Sequence, residues 1–88
     1  MSYSFSVQAP TKAEAEIKVR DKLVEVRTAQ PAHELDCDQA FDAAAAFIKL
    51  MPDDPARDVW VSVNGSIWQV VGGAEQVTIS VSVHMATR

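Results

Sequence analysis

The stretch Asp58-Val59-Trp60-Val61-Ser62-Val63-Asn64-Gly65-Ser66-Ile67-Trp68-Gln69-Val70-Val71 decides how this chain folds. Asn64-Gly65 separates two β-rich runs, Asp58 to Val63 and Ser66 to Val71. A two-residue type I′ turn needs φ > 0 at both central residues, and Asn-Gly meets that need better than most pairs. After Gly72-Gly73 a third run, Val77 to Met85, alternates Val77, Ile79, Val81 and Val83 with Thr78, Ser80, Ser82 and His84. Strict alternation of this kind gives a strand one buried and one wet face. The reading is a three-stranded meander turning at Asn64-Gly65 and at Gly72-Gly73.

That hairpin sets a register. A turn at Asn64-Gly65 pairs Val63 with Ser66, Val61 with Trp68 and Val59 with Val70, which makes an apolar face. The loop at Gly72 must then hold an even number of residues to bring Val77, Ile79 and Val81 to the same side. Val59, Val61, Val63, Trp68, Val70, Val77, Ile79, Val81 and Val83 are the expected core. Trp60 and Ile67 become diagonal neighbours on the opposite, outward face, with Val71 further along. An uncovered aromatic patch of this sort is enriched at interfaces, so Trp60, Ile67 and Val71 are the candidate interface.

Upstream, Ser2 to Gln8 alternates Tyr3, Phe5 and Val7 with serines and reads as a further strand closed by Pro10. It is expected beside the last strand, where Ser4 and Ser6 would lie next to Ser80 and Ser82. Thr11 and Glu14 have capping-box spacing and open a helix running to about Ala29. Its apolar residues form two lines, Ala13-Ile17-Val24 and Ala15-Val19-Leu23-Val26, suggesting two neighbours. Glu16, Arg20 and Arg27 lie between the lines. They are a possible recognition stripe, or ordinary surface side chains whose stems pass along apolar neighbours.

Gln30 to Leu35 reads as a connector. Asp36 and Gln39 repeat the capping spacing and open a second helix that Pro52 stops. Its apolar face gathers Cys37, Ala40, Phe41, Ala44, Phe47, Ile48 and Met51. The expected fold class is therefore α+β, one domain over residues 1–88, in the order β-α-α-β-β-β. One antiparallel four-stranded sheet would carry two helices packed on one face.

Little of this is chemistry. His33, Glu34, Asp36, Cys37 and Asp38 fall close together but match no zinc spacing, and Asp53, Asp54 and Asp58 lack the calcium-loop pattern. No catalytic residue, metal ligand or cofactor is expected, and no enzyme activity. Cys37 is the only cysteine, so a reducing, cytoplasmic setting is the natural one. No apolar run approaches the roughly 18 residues of a membrane span. The net charge of −4 argues against nucleic acid, whose binding draws on clustered Lys and Arg.

The segments Met1-Ser-Tyr-Ser-Phe-Ser-Val7, Thr11-Lys-Ala-Glu14, Ala45-Ala-Phe-Ile48, Pro52-Asp-Asp54 and Val61-Ser-Val-Asn-Gly65 resemble small accessory proteins encoded in tailed phages and prophages. These stretches are strands, caps and turns. The resemblance implies an accessory protein without an assigned activity and transfers no functional residue. The expected function is a non-enzymatic interaction module, self-associating through the outward sheet face or a sheet edge. Its partner would be itself or another protein. The runner-up is a nucleic-acid-interacting accessory protein using Lys12, Arg20 and Arg27.

Overall fold

A computed structural model describes residues 2–87. The elements in order are strand β1 (Ser2–Ala9), helix α1 (Lys12–Ala29), a single 3-10 turn (Pro31–His33), helix α2 (Glu34–Leu50), strand β2 (Arg57–Gln69) and strand β3 (Glu75–Thr87). The fold is α+β, as expected, but the sheet has three strands rather than four, in the order β1-β2-β3.

The missing strand is accounted for at Asn64-Gly65. This pair makes no turn: β2 runs straight through it, with Asn64 opposite Ser80 and Gly65 opposite Ile79. Neither residue has positive φ; that conformation falls instead at Gly72 (φ 105°) and Gly73 (φ 87°). The glycine serves a different purpose. Tyr3 of β1 lies directly across from Gly65, and a Cβ at that position would fall on the tyrosine ring. An aromatic side chain laid over a strand glycine fills the space a side chain would have taken.

With β2 unbroken, the faces of its second half reverse. Val59, Val61, Val63 and Gly65 are buried beneath the helices, whereas Trp68, at 59% exposure, and Val70 are not core residues. The expected assignment of β3 nevertheless survives. Residues 70–74 connect the strands, and that odd-length loop reverses the parity a second time. Val61 pairs with Val83 and Val63 with Val81, so Ile79, Val81, Val83 and Met85 pack against the core. Val77 lies near the tip and stays 47% exposed.

Removing one strand also reverses the direction of the last. β3 now runs parallel to β1, so the antiparallel partner of β1 is β2, with Val7 opposite Val61 and Ser6 opposite Ser62. The serines line up across all three strands, because Ser62 also faces Ser82.

The helices cover one side of the sheet. Thr11 caps α1 by accepting from the Glu14 amide at 3.2 Å. Only the Ala15-Val19-Leu23 line of α1 is buried; Ile17 (52%) and Val24 (44%) of the other line face outward. The expected second neighbour of that line is α2, but it is met only across open clefts, which Ala13 and Val24 line. α2 buries Cys37, Ala40, Ala44 and Ile48, and these complete the core with Val59, Val61 and Val63. It begins two residues before Asp36, whose side chain does not cap it. Among the described residues, no helix is long and apolar enough to cross a membrane.

Candidate functional site

The Ala-rich stretch of α2 lets the helix sit close to the sheet, and its flank towards β3 decides what that strand can meet. Gln39, Ala43 and Phe47, spaced four apart, lie along that flank. With Ile79, Ser80 and Val81 they line a shallow groove open at the side of the sheet. Phe47 is 42% exposed, although its place in the helical pattern puts it with the core. Ile79, Val81, Val83 and Met85 are only half-buried. From Gln76 to Thr87 β3 contains no Lys, Arg, Asp, Glu or Pro, the residues that usually blunt an edge strand.

The far end of β2 and β3 projects further. The described part of β1 pairs with β2 only as far as Ser66, so residues 67–77 form a two-stranded arm. It carries Trp68, Val70, Val71 and Val77 at exposures from 47% to full. The projection stretches the molecule to 50 × 22 × 18 Å and gives a radius of gyration of 14.1 Å. A compact domain of this length has about 12 Å.

The expected interface residues do not assemble into one patch. Trp60 does face outward, but its ring stacks on His84 with centroids 6.0 Å apart and planes at 21°. Ile67 pairs with Val77 on the helix-side face of the sheet. Val71 lies in the connecting turn. Trp68, expected inside, shares the outward face with Trp60 and donates to Thr78 Oγ1 at 3.4 Å.

The charged stripe of α1 is turned towards α2. Arg20 lies over the Phe41 ring, 5.5 Å from its centroid. Arg27 meets Asp38 at 3.5 Å, and both arginines line an interhelical cleft with Val24, Phe41 and Asp42. Glu16 lies further along, beside Ala13, Ala45 and Ala46. Lys12 donates to the Met51 carbonyl at 3.0 Å and pairs with Asp53 at 3.5 Å, which fastens the start of α1 to the end of α2.

One polar cluster is hidden entirely. His33 is fully buried and its Nδ1 is 2.7 Å from Asp36 Oδ2. The His33 ring meets the Tyr3 ring edge-on, with centroids 4.9 Å apart. Among the described residues the Tyr3 hydroxyl has no strong hydrogen-bond partner, and the Cys37 thiol beside it is a weak one. Burial pushes the Tyr3 pKa well above the ordinary tyrosine value, and the Cys37 and Asp36 charges push the same way. Burial likewise raises the Cys37 thiol, followed by the Asp36 carboxylate. Both groups stay neutral, and the thiol is no nucleophile in that state. The sequence showed His33 as connector and Asp36 as cap, with Cys37 on the apolar face of its helix; the packing of Tyr3 from β1 against His33 shows the first two to be interior as well. Among the described residues no three His, Cys, Asp or Glu side chains come together as a metal-binding group.

No protein-family model matches the chain, and no curated protein or solved structure does either.

Proposed function

We propose that this chain is a non-enzymatic interaction module that self-associates through the part of its sheet the helices leave bare. The observation that carries the reading is the β3 margin. From Gln76 to Thr87 it is a long edge rich in β-branched residues and free of Lys, Arg, Asp and Glu, flanked by the half-exposed Phe47. Edges of that description pair readily with another chain. The non-enzymatic part rests on the His33–Asp36 pair, the natural candidate for acid–base work. It is sealed at 0% and 4% exposure, out of reach of any substrate. A cytoplasmic setting fits the lone, buried Cys37, and the likeness to small phage and prophage proteins fits an accessory role.

Sedimentation velocity over a concentration series tests this. The expected result is a shift from the 9.6 kDa monomer towards dimer between about 1 and 200 μM, near the affinity of modest transient interfaces. The shift should persist in added salt, because backbone pairing and apolar contact are weakly screened. A monomer at every concentration would contradict the reading. Association with DNA that collapses as salt rises would favour phosphate binding through Lys12, Arg20 and Arg27 instead.

A further inference from the structure

We infer that the occupant of the β3 edge is the β3 edge of a second copy, paired antiparallel across a two-fold axis to make a continuous six-stranded sheet. The inference rests on the self-association reading above and specifies its surface. Three observations favour it over other occupants.

The first is the pattern along the strand. A two-fold axis perpendicular to the sheet pairs residues whose numbers have an even sum, so inward residues meet inward ones. Val77, Ile79, Val81, Val83 and Met85 of both copies then lie on the helix side, and Thr78, Ser80, Ser82 and His84 on the outward side. Centred at Ser80 or Val81, the arrangement sets Ile79 against Val81 or Val83. It also continues the hydroxyl rows already formed by Ser6, Ser62 and Ser82.

The second is charge. Within β3 only Glu75 and His84 can carry one. Antiparallel pairing brings Glu75 of each copy towards the His84 end of the other, and sets no like charges opposite each other. A parallel arrangement would place Glu75 beside Glu75.

The third is area. Val77 to Met85 spans about 27 Å at ~3.4 Å per residue. The sheet and helix layer together stand roughly 15–20 Å high, given a helix about 10 Å across. Each copy therefore offers on the order of 400–550 Å², or about 800–1,100 Å² for the pair. This lies in the range of weak, transient interfaces, as the micromolar association expected above requires. Phe47 of each copy lies beside the seam and extends the apolar strip into the helix layer.

Ser80→Lys and Ser82→Lys test the pairing, since both positions are exposed and outward and neither touches the core. With the axis at Ser80 a lysine there meets its own copy, and a lysine at either position puts a charge into the row of hydroxyls facing it across the seam. Each variant should raise the dimer dissociation constant at least tenfold while melting like the parent in dilute solution. Trp60→Ala should leave the constant within about twofold, because its ring stands on β2 and meets the seam only at His84, near the end of the pairing furthest from the axis. Nitroxides on Ser80→Cys, Thr78→Cys and His84→Cys give an independent reading. Their intermolecular distances should lengthen by about 7 Å per residue moved from the axis, twice the strand rise. A dimer that survives both lysines, or distances without that progression, overturns the edge assignment and leaves self-association standing. A parent that remains monomeric at about 200 μM overturns both.

Discussion

Along the β1 side of the sheet, α1 supplies polar side chains to the strand beneath it. Lys18 Nζ donates to the Gln8 carbonyl at 2.8 Å, and Gln30 Nε2 donates to the Ser2 carbonyl at 3.3 Å. Pro10 then ends the strand after eight residues. Along the β3 side, α2 presents Gln39, Ala43 and Phe47 to a strand of thirteen residues, and no Lys, Arg, Asp or Glu follows Glu75 in β3. Both are edge strands with unpaired backbone groups, which is a hazard natural sheets usually manage with charge, proline or cover. One edge is managed and the other is left open. The pairing proposed above rests on that difference.

The largest effect should come from Tyr3, which ties the managed edge to the core. It covers Gly65, meets His33 and is 8% exposed. Tyr3→Ala should cost about 3–5 kcal/mol, the range for truncating a buried aromatic, measured by chemical denaturation. Tyr3→Phe should cost little, because the hydroxyl it removes lacks a strong partner. The two variants should also separate at alkaline pH. Tyr3 and Cys37 have pKa values raised by burial, so the folded chain holds their protons longer than the unfolded chain. Their contribution is intact below the unfolded values, about 8.5 for the thiol and 10 for the phenol. It falls as pH climbs through and beyond them. The parent should lose stability above about pH 8.5, and Tyr3→Phe should lose less of it above pH 10. Equal alkaline loss in both would show that Tyr3 is not the buried phenol described here.

A smaller effect is expected from the groups that blunt β1. Lys18→Ala and Gln30→Ala each remove one exposed hydrogen bond and should cost no more than about 1 kcal/mol. The dimer dissociation constant should not move, since neither side chain lies near β3. Tighter association in Lys18→Ala would mean that β1 is also competent to pair and is held back by that lysine. The contrast between the edges would then be one of blocking rather than of design along the strand.

How much of this could be read from the sequence depends on whether the signal was local. The alternation in Val59-Val61-Val63 and Ile79-Val81-Val83 found the inward face, and Thr11 with Glu14 found the start of α1. Asn64-Gly65 misled because a glycine between two β runs has two uses. Turning the chain is a local property, whereas making room for Tyr3 depends on a strand some sixty residues away in sequence. That one misreading added a strand, put Trp68 inside and moved β1 to the wrong neighbour. The two apolar lines of α1 were visible, but only the one beneath the helix is buried; the other borders open clefts against α2. Phe47 sat correctly in the helical pattern, yet its exposure follows from β3 being an edge. The open margin did leave a trace in the sequence, in the absence of charge and proline from Gln76 to Thr87.

Amide hydrogen exchange followed residue by residue as a function of protein concentration tests the central claim most directly. In β3, alternate amides point towards β2 and towards the open side, and the second set has no strand to pair with among the described residues. At about 1 μM those outward amides between Val77 and Met85 should exchange quickly. At about 200 μM they should gain protection of at least tenfold, while the amides of β1 stay unchanged. Protection in β3 that does not depend on concentration, or that appears instead around Trp60 and the outward face, would contradict the account.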